Sequence, residues 1–187
     1  TGLVTYHGPT FKSLTSWETG YAYKQFIKTF VESTESLIMG EPEDEYTTIQ
    51  AGQATGELVG GNLSLFTKLV CGKYAVDIQD KILFLEELGF EAAPEMVNSN
   101  IYYLKQNGVF DRIAGLWIGN YEHQSKISLE KIITNAIGDE YKFPIIKSDN
   151  FGHIDKKIII PIGTKAEINT NEKIKIKLVE KCVYEGK

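Results

Sequence analysis

At 187 residues, with 42% hydrophobic and 24% charged side chains, the chain is long and apolar enough for one sizeable core, which excludes disorder as its main state. Twenty basic against 25 acidic residues give a net charge of -5, and Arg112 is the only arginine. Nucleic-acid binders normally carry a basic excess and arginine forks, so that class is excluded as well. No apolar run approaches the roughly 20 residues of a membrane span, and the start Thr-Gly-Leu-Val-Thr-Tyr-His has no signal-peptide pattern; the expected compartment is the cytoplasm.

In chain order, a β-prone start runs into the turn His7-Gly8-Pro9. Ser16 is placed to cap a helix whose stripe is Tyr23, Phe26, Ile27, Phe30 and Val31. The acidic, Pro/Gly-broken stretch Met39–Glu45 reads as a surface loop and is the one plausible boundary. Short strands follow at 47–50 and 55–59. Asn62 caps an apolar helix carrying Leu63, Leu65, Phe66, Leu69 and Val70. The run Ile82-Leu83-Phe84-Leu85 predicts a strand buried on both faces.

Pro94 opens a helix with Met96, Val97, Ile101 and Leu104, closed by Asn107-Gly108. Ile113–Ile118 is a further apolar strand, and Ser128 caps a helix through Leu129, Ile132, Ile133 and Ala136. Beyond Pro144 the pattern turns to strands at 157–162, 165–168 and 173–180, the last with lysines outward. The fold class is mixed α/β: a layered β/β/α swivelling-type domain with several strands and about four helices, helices on one side of the sheet and more β structure on the other.

The chemistry-bearing residues are few. Glu86 and Glu87 stand where a buried strand emerges at its C-terminal end, the edge where α/β sheets gather catalytic groups. Adjacent side chains on an extended chain point to opposite faces, so only one of the two can face a given site. A solvated strand end is the commoner meaning of such a pair. His153, in the turn-forming run Asp149-Asn150-Phe151-Gly152-His153, is suited to general-base work; a plain loop histidine is the commoner case.

If Glu86 and His153 meet, the carboxylate fixes the tautomer of the ring and supports its charged form. The nucleophile is missing. No Gly-x-Ser-x-Gly elbow occurs, and Ser64, the nearest mimic, is expected to bond back to a helix carbonyl. Gly60-Gly61-Asn62 before a helix suits an anion or, at least as well, a tight capped turn. Cys71 and Cys182 lie in apolar contexts and read as reduced, buried thiols. With no CxxC and three histidines, His7, His123 and His153, no metal site or cofactor is expected. Trp17 and Trp117 read as packing residues.

Five fragments in order, Gly56-Glu57-Leu58-Val59-Gly60-Gly61-Asn62-Leu63, Ile82-Leu83-Phe84-Leu85-Glu86-Glu87, Gly108-Val109-Phe110-Asp111-Arg112-Ile113-Ala114-Gly115, Phe151-Gly152-His153 and Ile160-Pro161-Ile162-Gly163, resemble the C-terminal domain of the LD-carboxypeptidase family of serine peptidases, which includes the microcin C immunity peptidases. The resemblance covers about residues 1–180. It implies Glu86 as the orienting acid and His153 as the general base of a Ser-Glu-His triad, with Asn62 and Glu122 at the substrate. It also implies that residues 1–45 are the tail of an N-terminal nucleophile domain plus connecting segment, that 46–187 are the C-terminal domain, and that the serine lies outside this chain.

The implied substrates are murein tetrapeptide or a peptidyl-aminoacyl adenylate, and the implied assembly is a homodimer. Three departures from the family pattern stand out. Glu87 replaces the usual Asp, Ser99 an Arg, and Cys71-Gly72-Lys73-Tyr74 a Gly-Thr-Pro-Tyr loop. With the nucleophile domain absent, an uncovered apolar strip is expected near Leu3, Val4 and Tyr6, and Glu87→Gln is expected to do little to turnover. The competing hypothesis is a non-catalytic ligand-binding or dimerisation module.

Overall fold

The computed structural model describes residues 3–10, 20–32, 34–90 and 92–183. Each apolar run in the middle of the sequence becomes a strand, and each amphipathic stretch between runs becomes a crossover helix. In chain order the elements are β1 (Thr5–His7), α1 (Tyr21–Phe26), β2 (Tyr46–Gln50), β3 (Gln53–Asn62), α2 (Leu63–Val70), β4 (Ile82–Glu86), α3 (Pro94–Gln106), β5 (Gly115–Ile118), α4 (Leu129–Ile137), β6 (Ile145–Ser148), β7 (Ile160–Ile162), β8 (Lys165–Asn169) and β9 (Ile176–Leu178).

Seven strands form one curled sheet in the order β2-β6-β5-β4-β3-β8-β9. β3, β4, β5 and β6 are mutually parallel, joined in turn through α2, α3 and α4. β2 closes one edge and β8 the other side, both antiparallel. β1 pairs with β7 in a separate two-stranded sheet.

Side-chain alternation along β4 and β5 divides the interior into two cores. Leu83, Leu85, Leu116 and Ile118 face the helices, packing with Phe66 of α2, Ile101 of α3 and Ile133 of α4. Ile82, Phe84 and Trp117 face the other way, against Met39, Phe151, Ile158 and Ile160. Helices therefore cover one face and β1, β7 and irregular chain cover the other, as the pattern predicts. At the strand junction, Gly60 has φ +141° and a Cβ there would lie 1.9 Å from the Phe84 carbonyl oxygen. Only glycine permits β3 and β4 to approach at that point.

Several local expectations are corrected. The segment from Tyr21 does not present the Tyr23/Val31 stripe to the core: both are exposed, while Gln25 and Thr29 are buried. Tyr23 and Gln25 already take these places in the regular helix. After Phe26 the helix widens into a π-helical turn over Ile27–Glu32, where the 3.6-residue register used to place Val31 no longer holds. Ser16 and Trp17 lie outside the described residues.

The stretch Met39–Glu45 is no surface loop along its length. Met39, Gly40 and Asp44 are buried there, because Met39 N–H pairs with the Ile176 carbonyl and the Asp44 carboxylate is fully engaged. Gly60-Gly61-Asn62 is the end of β3 itself, not a turn beyond it. Ser128 stands at the N-cap of α4 without a side-chain cap. Met96 is exposed on α3. Cys182 is buried as expected, but Cys71 is exposed because it follows the last residue of α2 on the solvent side; both are reduced. Trp117 is a packing residue, fully buried, with its indole N–H donated to Ser148 Oγ at 2.8 Å.

Candidate active site

Three chain segments meet at the C-terminal edge of the parallel strands. β4 ends at Glu86, β5 runs on into Gly119-Asn120, and β6 leads into the loop that carries His153. Backbone bonds lace them together: Gly119 N–H to the Leu85 carbonyl at 2.8 Å, Glu87 N–H to Asn120 at 3.2 Å, and Asn120 N–H to Phe151 at 3.0 Å. Phe151 anchors its loop by inserting between Trp117 and Phe84, with ring centroids 4.6 and 5.9 Å away.

Within this frame Glu86, on the Phe84 face of β4, accepts a hydrogen bond from His153 Nδ1 at 2.7 Å. The Glu86 side chain is 0% exposed and that of His153 46%. Burial raises the Glu86 carboxyl above its ordinary value, and the hydrogen bond and charge of His153 oppose that rise. The predicted contact is present. Gly152, with φ +119°, stands where a Cβ would lie 3.2 Å from Glu86 Oε2, so the chain can pass over the carboxylate only without a side chain.

Glu87 turns to the other face, and it too is buried, at 4% exposure. The solvated strand end weighed for this pair is therefore absent for both residues. Glu87 accepts from Asn62 Nδ2 at 2.6 Å, from the Ser64 amide at 3.0 Å, from the Leu88 amide at 2.9 Å and from the Ser64 hydroxyl. It thus occupies the amide-rich start of α2, and the anion weighed for Gly60-Gly61-Asn62 is the protein's own carboxylate. Ser64 does not bond back to a helix carbonyl as expected, since Glu87 is the stronger acceptor. With Asn100 also donating to it at 3.1 Å, its hydroxyl is committed to structure. Asn62 caps α2 through Oδ1, which accepts the Leu65 amide at 3.1 Å, so both ends of its amide have internal partners.

Glu122 is exposed beside a cavity of about 420 Å³ lined also by Asn120, Tyr121, Lys147, Asp149 and Lys156. His123 stacks on Tyr121 and bonds Ser125 at 2.7 Å. Ser99 is exposed on α3. His7 was not singled out from sequence, yet it packs edge-on against Phe84 and Phe151. Burial, then the charges of His153 and Lys157, push its imidazole down to about 4, so it is neutral near pH 7. The signal that could have found it is its place in β1, whose partner β7 follows the His153 loop. Among the described residues no cluster of three or more His, Cys, Asp or Glu could hold a metal ion, and no helix is long and apolar enough to cross a membrane.

A model of the LD-carboxypeptidase C-terminal domain matches residues 55–168. The chain is 32% identical to the probable murein peptide carboxypeptidase of Bacillus subtilis (strain 168), matching 100% of this chain and 59% of that protein. Among solved structures, the microcin C7 self immunity protein MccF superposes with a TM-score of 0.84 at 22% identity, over 98% of this chain and 63% of that one. The muramoyltetrapeptide carboxypeptidase from Oxalobacter formigenes gives a TM-score of 0.75 at 20% identity, covering 95% and 60%. The chain therefore spans about three-fifths of the length of the proteins it matches.

Proposed function

Since this chain belongs to the LD-carboxypeptidase family, through that family's C-terminal domain, we propose that it supplies the acid and base of a serine peptidase, cutting an amide bond near a free carboxyl end. The observation that carries the reading is the 2.7 Å bond between His153 Nδ1 and a fully buried Glu86, on a ring that stays half open to solvent. With Nδ1 donating to Glu86, Nε2 is the nitrogen left to accept a proton. His153 takes that proton from a serine hydroxyl as it attacks the carbonyl, and returns it to the leaving amine. Glu86, itself shielded from water, holds the tautomer and stabilises the imidazolium.

The serine is assigned to a nucleophile domain outside this chain, with residues 1–45 as its tail and connector and 46–187 as the C-terminal domain. The enzyme is read as cytoplasmic and homodimeric, with Asn62 and Glu122 toward the substrate. Asn62 serves there through the shape it gives the start of α2. The substrate is murein tetrapeptide or a peptidyl-aminoacyl nucleotide; MccF has been solved with glutamyl sulfamoyl guanosine and with aspartyl sulfamoyl adenosine.

The test uses the full-length protein and both substrate types. His153→Ala is expected to abolish most turnover and Glu86→Gln to lower kcat by about 10⁴-fold. The 187-residue chain alone is expected to be inactive. Turnover by that chain alone, or full activity in His153→Ala, overturns the reading.

A further inference from the structure

Asp44 lies 42 residues before Glu86 in the chain, and nothing in its surrounding sequence marks it. In the fold its carboxylate is buried at 7% exposure and accepts four donors. Oδ2 takes the Glu41 amide at 2.9 Å, Asn150 Nδ2 at 3.2 Å and the Tyr21 hydroxyl; Oδ1 takes Lys156 Nζ at 2.9 Å. Asn150 and Lys156 stand three residues before and three residues after His153. One carboxylate thus ties down both flanks of the loop that presents the ring.

The rest of the network makes the anchor rigid. Lys156 also lies over the Tyr21 ring, 4.6 Å from its centroid. Asn150 Nδ2 donates to Tyr46 as well, at 2.9 Å, and its Oδ1 accepts from Ser148 at 2.8 Å. The neck of the loop is closed by Ile158 N–H on the Asn150 carbonyl at 2.8 Å. On the far side Asp44 is held by its own segment, where Gln25 and Lys28 grip Glu41 at 2.7 and 2.9 Å. Every group of this anchor lies outside the carboxylate–imidazole pair.

We propose that Asp44 is the positioning residue for His153, fixing the loop so that the ring meets Glu86 without searching. The proposal rests on the reading of His153 as general base, and it is tested by a signal that does not need turnover. In the 187-residue chain with ¹⁵N-labelled histidine, the His153 Nδ1 proton bonded to Glu86 gives a low-field resonance. Asp44→Ala is expected to lose it, and Lys156→Met, which cuts one tether at a half-exposed position, to broaden it. Ile133→Ala, a cavity in the opposite core, lowers stability and is expected to leave it sharp.

In the full-length protein Asp44→Ala is expected to lower kcat about 10²-fold with KM nearly unchanged, the usual effect of a misplaced base. A sharp resonance in Lys156→Met together with one in any folded Asp44→Ala sample makes Asp44 a stabiliser only and overturns the proposal. If Asp44→Ala does not fold, Lys156→Met decides alone. If wild-type full-length protein cleaves neither substrate, the peptidase reading fails, while the resonance still reports on Asp44.

Discussion

Glu86 and Glu87 are both taken out of water, on opposite faces of the end of β4, and the protein compensates them unequally. Glu87 has four donors around it, whereas Glu86 has His153 on one oxygen and leaves Oε1 buried without a hydrogen-bond partner. Because burial raises the Glu86 carboxyl, its ionisation weighs against the fold. That penalty is absent below the ordinary value of 4.5, where folded and unfolded states are both protonated, and complete once the pH exceeds the raised folded value. The Glu86→Gln protein should therefore gain stability relative to wild type as the pH rises from about 4 to about 8, with that gain vanishing near pH 4. Thermal unfolding at the two pH values checks this.

Glu87→Gln should do the reverse and cost ~1–3 kcal/mol in urea unfolding, since a neutral amide cannot accept all four donors. The expectation from sequence, little effect on turnover, came from the alternation rule alone. That rule placed Glu87 on the other face correctly but could not say that α2 starts there.

At the scale of elements, the β3–β4 contact is the least forgiving. Gly60→Ala should cost ~3 kcal/mol or more, because strand separation and a positive φ are both violated. A soluble Gly60→Ala protein with unchanged Tm would show that β3 can shift. The segment that bears Asp44 gives a pH signature instead. Burial would raise the Asp44 carboxyl, but hydrogen bonds from Tyr21, Lys156, the Glu41 amide and Asn150 together hold it below its ordinary 3.8. The charged groups facing it are Lys156 and Glu41; the hydroxyls of Tyr21 and Tyr46, also facing it, are kept protonated and neutral by burial.

A lowered carboxyl contributes stability that is complete above its unfolded value and is lost as the pH falls through the folded one. The stability difference between wild type and Asp44→Asn should thus be steady from pH 5 to 7 and shrink below about pH 3.8. A difference that grows on acidification would refute the assignment. Strands and crossover helices were legible because Ile82–Leu85 is an unbroken apolar run of strand length, while the Pro94 helix and Ser128–Ala136 repeat at helical spacing. The Tyr21 helix was not, since a π-helical turn breaks the very period used to read it. Nor was Asp44, whose partners Asn150 and Lys156 are 106 and 112 residues away and obey no local rule.

Across the whole molecule, the expected uncovered strip is present. Leu3 is 76% exposed, Tyr6 is exposed, and Val4 lies half-buried in a groove of about 970 Å³ shared with Leu69, Tyr74 and Val76. A recess of this size, partly apolar though lined also by Glu57, Asp77 and Lys81, should bind an environment-sensitive dye such as ANS in the native state. Replacing Leu3 and Tyr74 together by serine should remove most of that fluorescence without changing Tm by more than about 2 °C. Unchanged dye binding would place the accessible apolar surface elsewhere. The strip was legible from the family resemblance, not from periodicity. Its groove was not, because it needs β1, β3 and the loop after α2 to come together.

The Glu86–His153 bond joins residues 67 positions apart, yet both belong to one folded chain, and every group that steadies them described above does as well. The entropy of bringing the carboxylate and the imidazole together is therefore lost once, when the sheet closes. A serine-bearing domain meeting this surface would find half of its machinery already at high effective molarity. On the proposed reading the two parts need not be covalently continuous for chemistry to proceed. Supplied as separate polypeptides, they should complement one another, with a rate that saturates as the second part is added.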